Sequence, residues 1–217
     1  MGKLIDREKL KRAKRERGDK KKRILVEARD TLLRMPYVEV TIDTIGQAAG
    51  VERGIASMFF RTREELFLLI ARAELEEWFD VLEHRFEAIE GTAEAEAVVE
   101  LVASSLASRT DLTRLLSLLP VVLEQNVEAM EVFRFQKWRR DRGGELGALI
   151  EKLAPGLEAG SGFKMIYMAQ VLATGLEPAA HPRGSAAYDR GDPDFEAFWI
   201  NMAEELGRLL RAAVRSD

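Results

Sequence analysis

The side chains that most often carry covalent or metal chemistry are scarce in this chain. Cys is absent, which removes thiolate nucleophiles, thiolate zinc sites and disulfides together. His84 and His181 lie far apart, and neither a Gly-rich phosphate loop nor a Ser-His-Asp set is present, so no enzyme, metal or cofactor is expected. Positive charge is what stands out. Residues 1–23 hold 12 Lys/Arg against 4 Asp/Glu, whereas the remainder holds 21 against 33, giving the whole chain a net charge of -4. One end is suited to a polyanion, although a basic tail alone also fits a solvated extension.

Few prolines, no sustained alternation of β-branched residues and abundant Ala, Leu, Glu and Arg point to an all-α fold that would position these groups on helices. The basic stretch 1–19 reads as a mobile arm or frayed helix, with Gly18 as a break. A first helix follows from about Lys20 to Arg34, its apolar face holding Ile24, Ala28 and Leu32, and Pro36 stops it. Thr41 caps a second, short helix ending at Gly50. A third is expected over Arg53 to Phe60, and Thr62 caps a fourth that runs towards Phe86 with Glu64 and Glu65 in its first turn.

Beyond Gly91 further helices are expected over Thr92–Ser108, from Asp111 to about Gln125 with Pro120 inside, onward to Leu153 with Gly143 and Gly144 as a possible kink, and over Phe163–Leu176. Residues 177–194 read as a long loop. A last helix starts at the Asp192-Pro193 cap and runs to Val214, giving about nine helices. Apolar runs are short and broken by charge, so no membrane span is expected and a cytoplasmic protein fits best.

The segment TIDTIGQAAGVERGIASMFFRTREEL (Thr41–Leu66) has the spacing of a helix-turn-helix, with Ile45, Ala49, Val51, Ile55 and Phe60 placed to fix the angle between two short helices. The stretch from Lys20 to Leu68 resembles the DNA-binding domain of TetR-type (tetracycline-repressor-like) regulators. The resemblance rests on Lys22-Arg23-Ile24, Tyr37, Val40-Thr41-Ile42, Ile45-Gly46, Ala49-Gly50-Val51, Phe59-Phe60 and Thr62-Arg63-Glu64-Glu65-Leu66. It departs at Pro36, at Gly46 in place of the usual Ala, at Glu52, and at Ser57, where such helices commonly carry a backbone-touching Tyr.

The resemblance implies a dimeric regulator of transcription with three parts: a basic arm (1–19), a three-helix DNA-binding domain (20–68) and a helical-bundle domain for effector binding and dimerisation (69–217). Lys20, Lys21, Lys22, Arg23, Thr41 and Arg63 are candidates for phosphate contact, which sets register and salt-dependent affinity. Arg53, Gly54, Ile55, Ala56 and Ser57 are candidates for base contact, Arg53 suiting a guanine and Gly54 allowing close approach. Phe59 fits either contact or core. Thr41 and Thr62 are also plain helix caps, and Ile55 and Phe60 also plain core.

The apolar helix at 163–177 and the stripe Phe195, Phe198, Trp199, Met202, Leu206, Leu209 and Leu210 suit a four-helix dimer interface, or internal packing. The resemblance further implies an effector pocket, for which Leu123, Glu124, Met130, Phe133, Trp138, Tyr167, Gln170, Val171 and Thr174 are candidates, with an apolar, uncharged or cationic small molecule as ligand. The expected function is a repressor on a palindromic operator, released by that ligand. A structural or division-related DNA-binding protein of the same fold is the alternative.

Overall fold

The computed structural model describes residues 2–183 and 192–214, with side chains described from residue 11 onward. It divides into two compact units, Met1–Ile70 and Ala71–Asp217. The described residues are helical with turns and short extended links between helices, in agreement with the all-α expectation.

In the first unit α1 spans Gly2–Arg34. It passes straight through Gly18, where a break was expected: one glycine costs a helix only about 1 kcal/mol, and the flanking Lys, Arg, Glu and Leu are good helix formers. Its buried face is Ile24, Ala28, Thr31 and Leu32. A 3-10 turn, Tyr37–Glu39, follows Pro36 and leads to α2 (Ile42–Ala48). The helix expected over Arg53–Phe60 is reduced to a turn and one 3-10 turn, Ala56–Met58. Next comes α3 (Arg63–Glu87), which begins in the first unit and continues into the second.

The second unit continues with α4 (Ala95–Ala107), α5 (Thr110–Leu118), α6 (Ala129–Leu153), α7 (Ser161–Ala180) and α8 (Met202–Val214). Its core includes Trp78 and Phe79 of α3, Leu106, Leu112, Ile150, Met165 and Leu206. The Trp78 indole N–H donates to the buried Ser105 hydroxyl at 3.0 Å, so this large ring carries no orphaned donor.

Three boundaries differ from the sequence expectation for identifiable reasons. The helix expected to reach Gln125 stops at Leu118 and widens into a π turn, Leu119–Leu123, closed by Glu124 N–H to Leu119 O at 2.9 Å. Pro120 has no N–H to continue the regular ladder there. By contrast, α7 runs through Pro178 to Ala180, past the Leu176 end expected for it. The Asp192-Pro193 signal starts only a 3-10 segment, Pro193–Phe198, and α8 is capped afresh by Asn201, whose carboxamide oxygen accepts the Ala203 N–H at 3.1 Å. The loop expected over 177–194 falls partly on residues 184–191, outside the described residues.

The Gly143-Gly144 pair does not interrupt α6. The close approach is at Gly147 instead: a Cβ on Gly162 would lie 2.1 Å from the Gly147 carbonyl oxygen, so α6 and α7 cross backbone to backbone.

Candidate DNA interface

α2 is fixed at its start by a reciprocal cap. The Thr44 N–H donates to Thr41 Oγ1 at 3.0 Å, and the Thr41 N–H donates to Thr44 Oγ1 at 3.0 Å, which satisfies two donors that a helix start would leave bare. Gly50 ends α2 at φ 64°, a left-handed conformation that glycine adopts without strain. The Val51 N–H returns to Gly46 O at 3.1 Å and turns the chain back across α2.

The next segment closes tightly. The Ile55 N–H donates to Glu52 O at 3.0 Å, and Gly54, third of those four residues, has φ 81°. Turns with positive φ at that position reserve it for Gly. A helix begun at Arg53 would need Gly54 in the right-handed region, which is why the expected helix contracts. Arg53 and Gly54 thereby stand exposed at the tip of a turn, followed by exposed Ser57 and Met58.

Ala56 is the inward residue of this element, only 3% exposed. A Cβ on Gly46 would stand 3.0 Å from the Ala56 Cβ and 3.4 Å from Val51 Cγ2. Glycine at 46 therefore lets the reading turn lie directly on α2. The concavity they leave, about 480 Å³, is lined by Asp43, Gln47, Glu52, Arg53 and Gly54 among others. Ile55 and Phe59 are half-buried, and Phe60 is core.

α1 borders the same element. The Arg17 guanidinium lies 5.5 Å from the Phe59 ring centroid, and the Lys21 ammonium 5.6 Å from that of Phe60, two cation-π contacts one helical turn apart. The Arg23 guanidinium is the group nearest a Cβ built on Gly50. Lys21, Lys22 and Arg23 are exposed and Lys20 half-buried, so the structure gathers the basic end of the first helix, the exposed Thr41 cap and the Arg53 turn within one unit.

Arg63 is placed differently. Its Nη1 donates to the carbonyl oxygens of Tyr37 (3.1 Å) and Val40 (2.6 Å), its Nε donates to Glu64 at 2.9 Å, and its guanidinium lies 4.4 Å from the Tyr37 ring centroid. The Tyr37 hydroxyl donates to Glu64 at 2.8 Å. Burial and the Glu64 carboxylate push the Tyr37 phenol well above its ordinary value. Burial works against the charged form of Glu64, but hydrogen bonds from Arg63 and Tyr37 outweigh it and hold the carboxyl below its ordinary range. Nothing in the sequence pattern singled out this ring-and-ion cluster. The signal was Tyr37 before a Thr cap, with an acid one residue after Arg63.

In the second unit the positions named for an effector are dispersed. Leu123 is fully buried, Glu124, Trp138 and Thr174 are half-buried, and Met130, Phe133, Tyr167 and Val171 are exposed. Trp138 is packed, with ring centroids 6.0 Å from Phe79 and 5.9 Å from Phe135 and the Arg72 guanidinium over its face. Gln170 is buried and donates to Ile166 O at 3.0 Å, and its Oε1 has no partner among the described residues. One cation that the sequence reading passed over stands among these positions: Arg139 lies 5.5 Å from the Tyr167 ring centroid and attracts Glu124, which also accepts from Gln136.

The apolar stripe expected at the dimer interface divides. Met202, Leu206, Leu210 and Val214 of α8 are buried within the unit, which favours internal packing for them. Phe195, Phe198 and Trp199 precede α8 and are exposed, as are Phe163, Tyr167 and Val171 at successive turns of α7. Among the described residues no helix is long and apolar enough to cross a membrane, and no group of His, Cys, Asp and Glu could hold a metal ion.

Residues 72–215 match the family model for the tetracyclin repressor-like C-terminal domain. Similar solved structures include the transcriptional regulator FadR from Bacillus subtilis in complex with stearoyl-CoA, 16% identical, with a TM-score of 0.54 over 89% of this chain and 98% of that one. The fatty acid degradation regulator FadR from Bacillus halodurans is 13% identical, with a TM-score of 0.55 over 91% and 97%. A transcriptional regulator from Rhodococcus sp. Rha1 is 15% identical, with a TM-score of 0.51 over 91% and 99%. At such identities these likenesses speak for the fold. No curated protein matches the chain's sequence.

Proposed function

The chain belongs to the tetracyclin repressor-like family of transcriptional regulators, and from that premise we propose that it is a repressor that binds a palindromic operator as a dimer through residues 41–60. One observation carries the reading: a capped α2 bears, at Gly46 and Ala56, a turn that exposes Arg53 and Gly54 at its tip, and basic α1 borders the same element through Arg17 over Phe59 and Lys21 over Phe60. Arg53, Gly54 and Ser57 face bases, with Ile55 and Phe59 supporting them at the edge. Ala56 acts from beneath, as the surface on which the turn rests. Lys20, Lys21, Lys22, Arg23 and Thr41 hold phosphates, and Arg63 fixes the Tyr37–Val40 link behind them.

The outward face of α7 supports the dimer. Phe163, Tyr167 and Val171 recur at four-residue spacing, and the first two rings stack 6.1 Å apart. Two reading turns related by such a dimer would meet successive major grooves, about 34–36 Å apart. A ligand then lowers DNA affinity only as far as it prefers the form in which the turns no longer match those grooves.

For the effector we favour an apolar molecule with a polar end, bound by the second unit. Gln170 Oε1, buried and with no partner among the described residues, suits a donor, and Arg139 beside Glu124 suits an anionic group. A long-chain acyl thioester, the class bound by the Bacillus subtilis regulator, is the first to try.

Mobility shifts on DNA upstream of the chain's own gene, with and without such ligands, test the reading. A specific shift that Arg53→Ala abolishes or broadens, and that ligand reverses, supports it; binding that never discriminates sequence favours a structural DNA-binding role.

A further inference from the structure

The DNA-reading proposal leaves most of the chain's positive charge unused. Upstream of Lys20, α1 carries Lys11, Arg12, Lys14, Arg15 and Arg17, all exposed, against Glu16 and Asp19 in the same stretch. The remainder of the chain, residues 24–217, has an acidic excess of twelve and repels a polyanion. Attraction to DNA must therefore come chiefly from α1.

α1 is one helix from Gly2 to Arg34, and it is laid against the reading element by Arg17 over Phe59 and Lys21 over Phe60. At 1.5 Å per residue, the part before Arg17 extends about 22 Å beyond that anchor. A helix is about 10–12 Å across with its side chains, whereas the minor groove of B-DNA is about 6 Å wide. An extended arm can enter that groove and a helix cannot. At 3.6 residues per turn the cations at 11, 12, 14 and 15 fall within about 160° of the helix circumference, a broad face that can follow a line of phosphates, and residues 2–23 contain no Asn, Gln, Ser or Thr to read a base.

We infer that the basic helix Gly2–Arg17 runs along the phosphate backbone of the duplex flanking the operator, as a rigid rod that adds affinity and footprint without adding sequence preference. This rests on the DNA-binding reading above.

The test uses the full chain and a duplex carrying the site recovered by in vitro selection, either trimmed to that site or embedded in about 40 bp, with affinity measured from 50 to 200 mM salt. Replacing Lys11, Arg12, Lys14 and Arg15 by Gln is expected to lower the slope of log affinity against log salt on the long duplex by up to about 3.6 for each protomer, about 7.2 for the dimer, at roughly 0.9 per phosphate contact. Binding to the trimmed duplex should stay as it was, and exchanging A·T for G·C in the flanks should change nothing. Gly18→Pro keeps every charge but breaks the rod, and is expected to lose the same advantage on the long duplex. An unchanged slope with no dependence on duplex length would overturn the inference, as would normal long-duplex binding by Gly18→Pro. If the unaltered chain selects no site, the DNA-reading proposal itself fails, a result distinct from either.

Discussion

Gly54 and Gly18 both accept a Cβ with no atom within 4 Å, yet Ala should act oppositely at the two. Gly18 lies within α1, where Ala is favoured over Gly by about 0.8–1.0 kcal/mol. Gly54 has φ 81°, and an L-residue held in the left-handed region costs about 1–2 kcal/mol. Since no neighbour is displaced, that cost is wholly conformational and falls on the turn that presents Arg53. The amides of Val51, Ile55 and Phe60, bonded to Gly46, Glu52 and Ala56, report it directly. At about 1.4 kcal/mol per tenfold, Gly54→Ala should speed their hydrogen exchange roughly five- to thirtyfold. Gly18→Ala should instead slow exchange around residue 18. Unchanged or slower exchange in Gly54→Ala would refute the turn, because Ala would stabilise a continuous recognition helix there.

Three further outcomes follow from the packing. Glu64 has its folded pKa depressed below 4.5, so its contribution is present above the unfolded carboxylate value and lost as pH falls through the folded one; Glu64→Gln should flatten that acid limb in exchange measurements on residues 37–64, and an identical limb would contradict the Tyr37–Arg63–Glu64 cluster. Gly162→Ala should destabilise the second unit by about 3 kcal/mol or more, the upper end for overpacking, since both partners at the 2.1 Å approach are backbone; the fluorescence of Trp78, Trp138 and Trp199, all in that unit, reads its denaturation. Arg142, 17% exposed, bonds Glu76, Asp80, Glu83 and Glu145. Arg142→Met should cost about 2 kcal/mol, reduced from the buried-pair range because the carboxylates are partly exposed, and the loss should shrink in high salt.

Helix content and caps were legible because they rest on local chemistry. Thr41, Thr62 and Gly50 act where their types placed them, and the apolar spacing of Ile24, Ala28 and Leu32 named a true buried face. Reading failed where one residue's conformation decides a segment. The Glu52-Arg53-Gly54-Ile55 run carries a turn signal, and the expected helix period across it obscured that signal. Tertiary crossings left even less trace: Gly143-Gly144 looked like the special pair on α6, whereas Gly147 owes its role to Gly162 on another helix. The Asp192-Pro193 cap was real but local, and nothing in it announced the second start at Asn201.

In vitro selection from random duplexes with the full chain tests the central claim most directly. A helix-turn-helix repressor working as a symmetric dimer should enrich one palindrome, its half-sites about 10 bp apart from centre to centre, and Arg53→Ala should relax one or two positions in each half. Recovery of duplexes with no shared sequence, or of a site that Arg53→Ala selects unchanged, would contradict it.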